Sequence, residues 1–145
     1  MTPIKECLIN KSTKINPVWL MRQAGRYLPE FKKIRKANPD FIKLCLDHIL
    51  AEEITLQPIK RFGFDAAIIF SDILMIPHGM GQTVEFKKNF GPSLGALELN
   101  KLASVSKKDL TEKLSPVYQL LSNLKNSNDL KNKDLIGFVG APWHF

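Results

Sequence analysis

Two arginines and one aspartate are the residues of this chain whose types and settings suit chemistry on a polyanion. Arg22 and Arg26 stand four residues apart, directly after the apolar residues 18–21 and with Gly25 between them. A guanidinium carries a planar fork of donors that grips a carboxylate through two parallel hydrogen bonds, which a lysine ammonium does not. Only four of the 21 basic residues are arginines, Arg22, Arg26, Arg35 and Arg61, so two of them in one loop is a local concentration. Asp72 follows a second apolar run, residues 66–70. A carboxylate there, kept ionised by nearby arginines, suits a cationic or N–H-rich ligand. Residue types alone leave plainer readings open: a surface ion pair or a packed stem for each arginine, and a turn former or helix cap for the aspartate.

Such side chains need elements to hold them. Residues 17–21, 66–70 and 135–139 are short, nearly continuous apolar runs, as strands buried on both faces read. Between the first two, residues 30–36 predict a short basic helix stopped by Asn38 and Pro39, and Asp40 is placed to cap the next one. Phe41, Leu44, Cys45, His48 and Ile49 recur at helical spacing, and the helix continues over 51–62 until Gly63. Pro58 has to kink that helix or lie close to its beginning. Residues 73–95 carry prolines and glycines throughout and predict a long loop with room for one short strand at 83–86. A helix over 106–124 follows, with Leu110, Leu114, Val117, Leu120, Leu121 and Leu124 along one stripe. Residues 1–16 read as an extended arm or a short helical turn. Strand, helix, strand, helix, strand is the order of an α/β fold with a parallel sheet. In such folds chemistry gathers at the carboxyl ends of the strands. Arg22, Asp72 and Ala141-Pro142 fall at those three ends.

The totals narrow the function. With 145 residues, 44% hydrophobic and 24% charged, the composition is that of an ordinary globular domain. A net charge of +7 suits an anionic partner without selecting one. Lys32, Lys33, Arg35 and Lys36, the pair Lys87 and Lys88, and the pair Lys107 and Lys108 lie in separate segments without interleaved aromatics. They read as solvated faces, and no nucleic-acid partner is expected. Cys7 and Cys45 form no metal-spaced motif, and His48, His78 and His144 are scattered, so neither a disulfide framework nor a metal is expected. Gly79 and Gly81 start a phosphate-loop pattern that Val84 breaks. No apolar run approaches ~18 residues, so the expectation is a cytoplasmic protein without a membrane span.

At this point the blocks resemble a family. Trp19-Leu-Met-Arg-Gln-Ala-Gly-Arg-Tyr-Leu-Pro-Glu-Phe31 is similar to the N-terminal signature of the uroporphyrinogen decarboxylases. Ile68-Ile-Phe-Ser-Asp-Ile-Leu74, Phe90-Gly-Pro92 and Gly137-Phe-Val-Gly-Ala-Pro-Trp143 resemble three further blocks of it, in the same order. The resemblance implies a (β/α)8 (TIM) barrel, homodimeric when full length, with no cofactor and no metal. It also implies removal of carbon dioxide from the four acetate side chains of uroporphyrinogen III, a tetrapyrrole, to give coproporphyrinogen III in haem synthesis. By position, Arg22 and Arg26 correspond to arginines that hold substrate carboxylates, and Gln23 lines the cleft between them. Asp72 corresponds to the aspartate that gathers the pyrrole N–H groups, and one of the arginines is a candidate proton donor. A complete barrel needs about 250 residues. The expected fold is therefore α/β, a partial barrel of about the first three β/α units, with residues 1–145 as the N-terminal part of one domain, incomplete at its C-terminus. Pro142-Trp-His-Phe145 departs from the family's Pro-Trp-Thr-Leu. The alternative reading is a truncated, non-catalytic remnant or one half of a split enzyme, with poor solubility and no activity for the 145 residues alone. A corrinoid-type methyltransferase shares the barrel, but such enzymes generally lack the two-arginine signature.

Overall fold

The computed structural model describes residues 1–11, 16–21, 27–87, 91–96 and 98–140. Over them the chain forms α1 (Pro3–Asn10), α2 (Pro29–Ala37), α3 (Phe41–Leu46), α4 (His48–Phe62), β1 (Ala66–Ile68) and α5 (Met75–Gly79). A hairpin of β2 (Val84–Lys87) and β3 (Gly91–Leu94) follows, then α6 (Leu99–Ser104), α7 (Lys107–Lys113) and α8 (Ser115–Asn126). A 3-10 turn (Asn128–Leu130) leads into β4 (Asp134–Ile136). The fold is mixed α/β, and the sheets among the described residues are two separate pairs, neither closed. No helix among them is long and apolar enough to cross a membrane.

The helix boundaries have identifiable chemical causes. Asp40 caps α3 by accepting from the Lys43 amide, as its position predicts. The single long helix expected over 41–62 is instead two helices. Asp47 closes α3 and caps α4, its Oδ1 accepting from the amides of Ile49 and Leu50 at 3.1 and 3.0 Å. Pro58 lies well inside α4, buried, and the helix runs on to Gly63, whose φ of 68° forms the left-handed cap. The helix expected over 106–124 is also divided. Pro116 has no N–H to donate and its ring crowds the carbonyl one turn earlier, so α7 ends at Lys113 and α8 starts with Pro116 in its first turn.

β1 and β4 pair in parallel, Ala66 opposite Asp134 and Ile68 opposite Ile136. The third strand, expected over 17–21, is not formed. Val18 and Leu20 are each 50% exposed, and Pro17 has no amide to offer a ladder. A strand-like contact is present at the start of this segment: the Asp65 amide donates to the Val18 carbonyl at 2.9 Å, while the Asp65 carbonyl accepts from Asp134 at 3.0 Å. The Val18 amide turns to the Asp65 carboxylate, at 2.7 Å, instead of continuing a backbone ladder. Segment 16–20 therefore flanks the root of β1 on the side opposite β4.

Among the described residues the core has three clusters. Ala51, Leu56 and Ile59 of α4 pack with Ala67, Ile69, Leu120, Leu124 and Leu130, joining α4, β1 and α8. Leu28, Phe31, Leu44 and Ile54 make the second, and Cys45, Met75 and Leu114 the third. Phe70, two residues past β1, packs against all three. Its ring meets Phe31 and Phe41 edge to face, with centroids 6.0 and 5.8 Å away. The expected long loop over 73–95 holds more structure than its composition suggests. Gly79 lets α5 lie directly on α7, since a Cβ there would sit 2.6 Å from Leu110 Cδ1. Gln82 then ties the hairpin together by donating to the Gly95 carbonyl at 2.8 Å.

Candidate functional site

The carboxyl end of β1 carries the one predicted site residue that the described residues include. After Ile68 the ladder adds a last bond, Ile69 N–H to the Ile136 carbonyl at 3.0 Å, and the chain leaves the sheet. Asp72 lies half-buried in the turn that follows. Its Oδ1 accepts from the Leu74 amide at 2.9 Å, and its carbonyl accepts from Met75 at 3.1 Å, the first residue of α5. The turn-forming role left open by the sequence is thus real. It does not compete with a ligand role, because a carboxylate has about four acceptor positions and this bond uses one.

Among the described residues, the charge of Asp72 is felt at Cys45, where Arg35 acts in the opposite sense. Cys45, 1% exposed on α3, has its thiol pushed up to about 12 by burial, with the negative charge of Asp72 acting in the same direction and Arg35 opposing both. A thiol held neutral in this way is neither nucleophile nor metal ligand. Arg35 of α2 donates to the Asn38 carbonyl at 2.6 Å and lies over the Phe41 ring, 5.5 Å from its centroid. Its guanidinium is therefore pinned by backbone and ring, with its charge felt at Cys45. Neither Cys45 nor Arg35 was singled out from the sequence. Helical spacing explained Cys45 as a core position, and Arg35 belonged to a run of basic residues that read as solvent-facing.

Arg22, Gln23 and Arg26 lie outside the described residues, as do Ala141 and Pro142 at the end of the third apolar run. The described ends of their segments are nevertheless informative. Val18 and Asp134 flank Asp65 on its two sides, so the segment leading to Arg22 and the strand leading to Ala141 both neighbour the one leading to Asp72. Two open depressions occur near the hairpin. One, about 470 Å³, is lined by His78, Gly81, Gln82, Thr83, Val84 and Lys113; the other, about 370 Å³, lies between the start of α3 and β2. Neither includes Asp72. Among the described residues no group of three His, Cys, Asp or Glu is arranged to hold a metal ion.

Comparison with known proteins matches this arrangement to one family. The family model for uroporphyrinogen decarboxylase (URO-D) matches residues 2–145. The chain is 47% identical over 143 residues to a protein named uroporphyrinogen decarboxylase from Rickettsia felis, covering 99% of this chain and 41% of that one. Proteins of the same name from Chelativorans sp. and Agrobacterium fabrum are each 45% identical, over 95% and 94% of this chain and 40% and 39% of their own lengths. The chain thus spans about two fifths of the length of these relatives. With the family model matched from residue 2 to residue 145, the chain belongs to the uroporphyrinogen decarboxylase family.

Proposed function

We propose that this chain supplies the N-terminal part of an enzyme that decarboxylates the four acetate side chains of uroporphyrinogen III to give coproporphyrinogen III. The observation that carries this reading is Asp72: a half-buried carboxylate on the turn after β1, in a chain of this family, with three of its acceptor positions unclaimed by the Leu74 bond. Asp72 gathers the pyrrole N–H groups of the substrate. Protonation of a pyrrole ring carbon makes the ring a cationic electron sink. The bond to the carboxylate breaks, carbon dioxide departs, and the electron pair of that bond forms an exocyclic methylene. The methylene takes up a proton to become the methyl group, while the ring carbon gives its own proton back and the pyrrole is restored. A fixed carboxylate beside the ring stabilises the positive charge as it develops, at no cost in reorganisation. Arg22 and Arg26 hold the substrate's carboxylates and Gln23 lines the cleft between them. No cofactor is needed, because the substrate ring itself is the electron sink.

In the same reading, segment 16–20, β1 and β4 are the first three strand positions of a (β/α)8 barrel whose remaining units complete the cleft, and the whole enzyme is a cytoplasmic homodimer. The test joins this chain to the part of the Rickettsia felis relative that follows the matched region, and follows coproporphyrinogen formation. The joined protein is expected to turn over, and Asp72→Asn to lower kcat at least ~100-fold, the scale of losing a group that stabilises transition-state charge. Turnover of Asp72→Asn near that of the parent removes Asp72 from the mechanism. An inactive joined protein that is folded and dimeric favours the non-catalytic remnant.

A further inference from the structure

Thr55 is a polar side chain buried where its neighbours on α4 are apolar. It is 2% exposed, between Ile54 and Leu56. Its hydroxyl makes two hydrogen bonds, donating to the Ala51 carbonyl at 2.7 Å and accepting from the Phe70 amide at 2.9 Å. The second bond is the informative one. Alternate amides of a strand point to opposite sides. Ile69 donates to β4, so the Phe70 amide faces the side where segment 16–20 would continue the sheet. Among the described residues no strand carbonyl reaches this amide, and its acceptor is the Thr55 hydroxyl. The Phe70 ring is held at the same time by Phe31 and Phe41. Two residues later comes Asp72, whose own Oδ1 bond to Leu74 fixes the next turn.

We infer that Thr55 is a positioning residue for the proposed reaction: its hydroxyl sets the path by which the chain leaves β1 and so where the Asp72 carboxylate stands. The inference rests on the reading that Asp72 serves the chemistry, but its geometric half does not. Thr55→Val keeps the shape and removes both hydrogen bonds, whereas Thr55→Ser keeps the hydroxyl. In the chain itself, NMR of Thr55→Val should show faster exchange of both the Phe70 and Leu74 amides and a displaced Asp72 carboxyl resonance, with Thr55→Ser close to the parent. An unchanged Leu74 amide and Asp72 resonance beside a deprotected Phe70 amide overturns the inference. Should Thr55→Val not fold, native-state exchange in the parent decides: the Phe70 and Leu74 amides must open together, and independent opening overturns it. In the joined enzyme, Thr55→Val should lose about tenfold or more in kcat with KM within about twofold, and Thr55→Ser should recover most of it, because small misplacements of a reacting group act on turnover. A rise in KM with kcat intact, or no rescue by serine, leaves only a structural role and refutes the positioning one. Activity surviving Asp72→Asn while these NMR shifts appear separates failure of the reaction assignment from failure of the geometry.

Discussion

The parallel pair β1–β4 and the hairpin β2–β3 are both two-stranded, yet they are held by opposite means. β1 has only three residues and β4 three, too few for ladder bonds to sustain them. Their stability comes from α4 and α8, whose Ala51, Leu56, Ile59, Leu120 and Leu124 enclose Ala67 and Ile69. The hairpin has a four-residue register from Val84 opposite Leu94 to Lys87 opposite Gly91, but little beneath it. Its main anchor is Phe86, 37% exposed, whose ring lies 4.7 Å from that of Phe41. One region is packing with a minimal ladder, the other a ladder with minimal packing. Asp72 lies on the segment between them, fixed on the packed side through Phe70 and leading to the hairpin through α5.

If that contrast is right, truncations in the two regions must differ in kind. Leu120 is 0% exposed, and Leu120→Ala should destabilise the whole chain by about 3 kcal/mol, a core cavity with no route to collapse. Phe86→Ala should cost about 1 kcal/mol or less and act locally, deprotecting hairpin amides while those of α4 and α8 keep their exchange rates. Urea midpoints and amide exchange on the two variants check this. A Phe86→Ala protein that loses global stability as Leu120→Ala does would abolish the distinction.

Cys45 reports on the ground between the two regions, packed with Met75 and Leu114 and backed by Phe41, Phe70 and Leu110. Burial pushes its thiol from the ordinary 9.0 up to about 12, so the folded chain holds the thiol proton more tightly than the unfolded one. The stabilisation is complete below about pH 9 and is lost as pH rises toward 12. The stability difference between the parent and Cys45→Ala should therefore narrow over that interval. At pH 8 a thiol reagent should label half-exposed Cys7 at least ~100-fold faster than Cys45, which reacts only through opening. Equal rates would mean that this cluster is open in solution.

The same contrast explains what was legible in the sequence. Runs of apolar residues announced β1 and β4, but only β1 is enclosed, at Ala66 and Ala67; β4 is half-buried and ends at Ile136, leaving Phe138 and Val139 of the run over 135–139 exposed. The run over 17–21 looked the same and forms no strand: Pro17 and the Asp65 carboxylate redirect its bonds, and neither effect shows in apolar periodicity. The hairpin was seen only as one short strand, since β3 reads Gly91-Pro-Ser-Leu94 and takes its place from register with β2 rather than from its own composition. At the site, the position of Asp72 after a buried strand was readable. Thr55 was not, because its partner, the Phe70 amide, is brought to it only by the packing of α4 on β1.

Within the packed region itself one residue breaks the pattern, and it offers the smallest and sharpest test. Gln57 follows Thr55 by two positions on α4 and is 7% exposed, yet neither its Oε1 nor its Nε2 has a hydrogen-bond partner among the described residues. A buried amide without partners costs about 1–3 kcal/mol in lost hydration, whereas an apolar side chain of similar size at the same place gains by its burial. If packing alone sustains this layer, Gln57→Leu should raise the urea midpoint with an unchanged slope, a gain of about 1 kcal/mol. Thr55→Val, which discards two hydrogen bonds for the same kind of apolar replacement, should move it the other way. Opposite signs at two buried polar positions of one helix would show that the layer tolerates polarity only where it is paired. A loss of stability in Gln57→Leu would instead mean that the folded chain gives this amide a partner, and that the layer depends on a polar contact as well as on its apolar core.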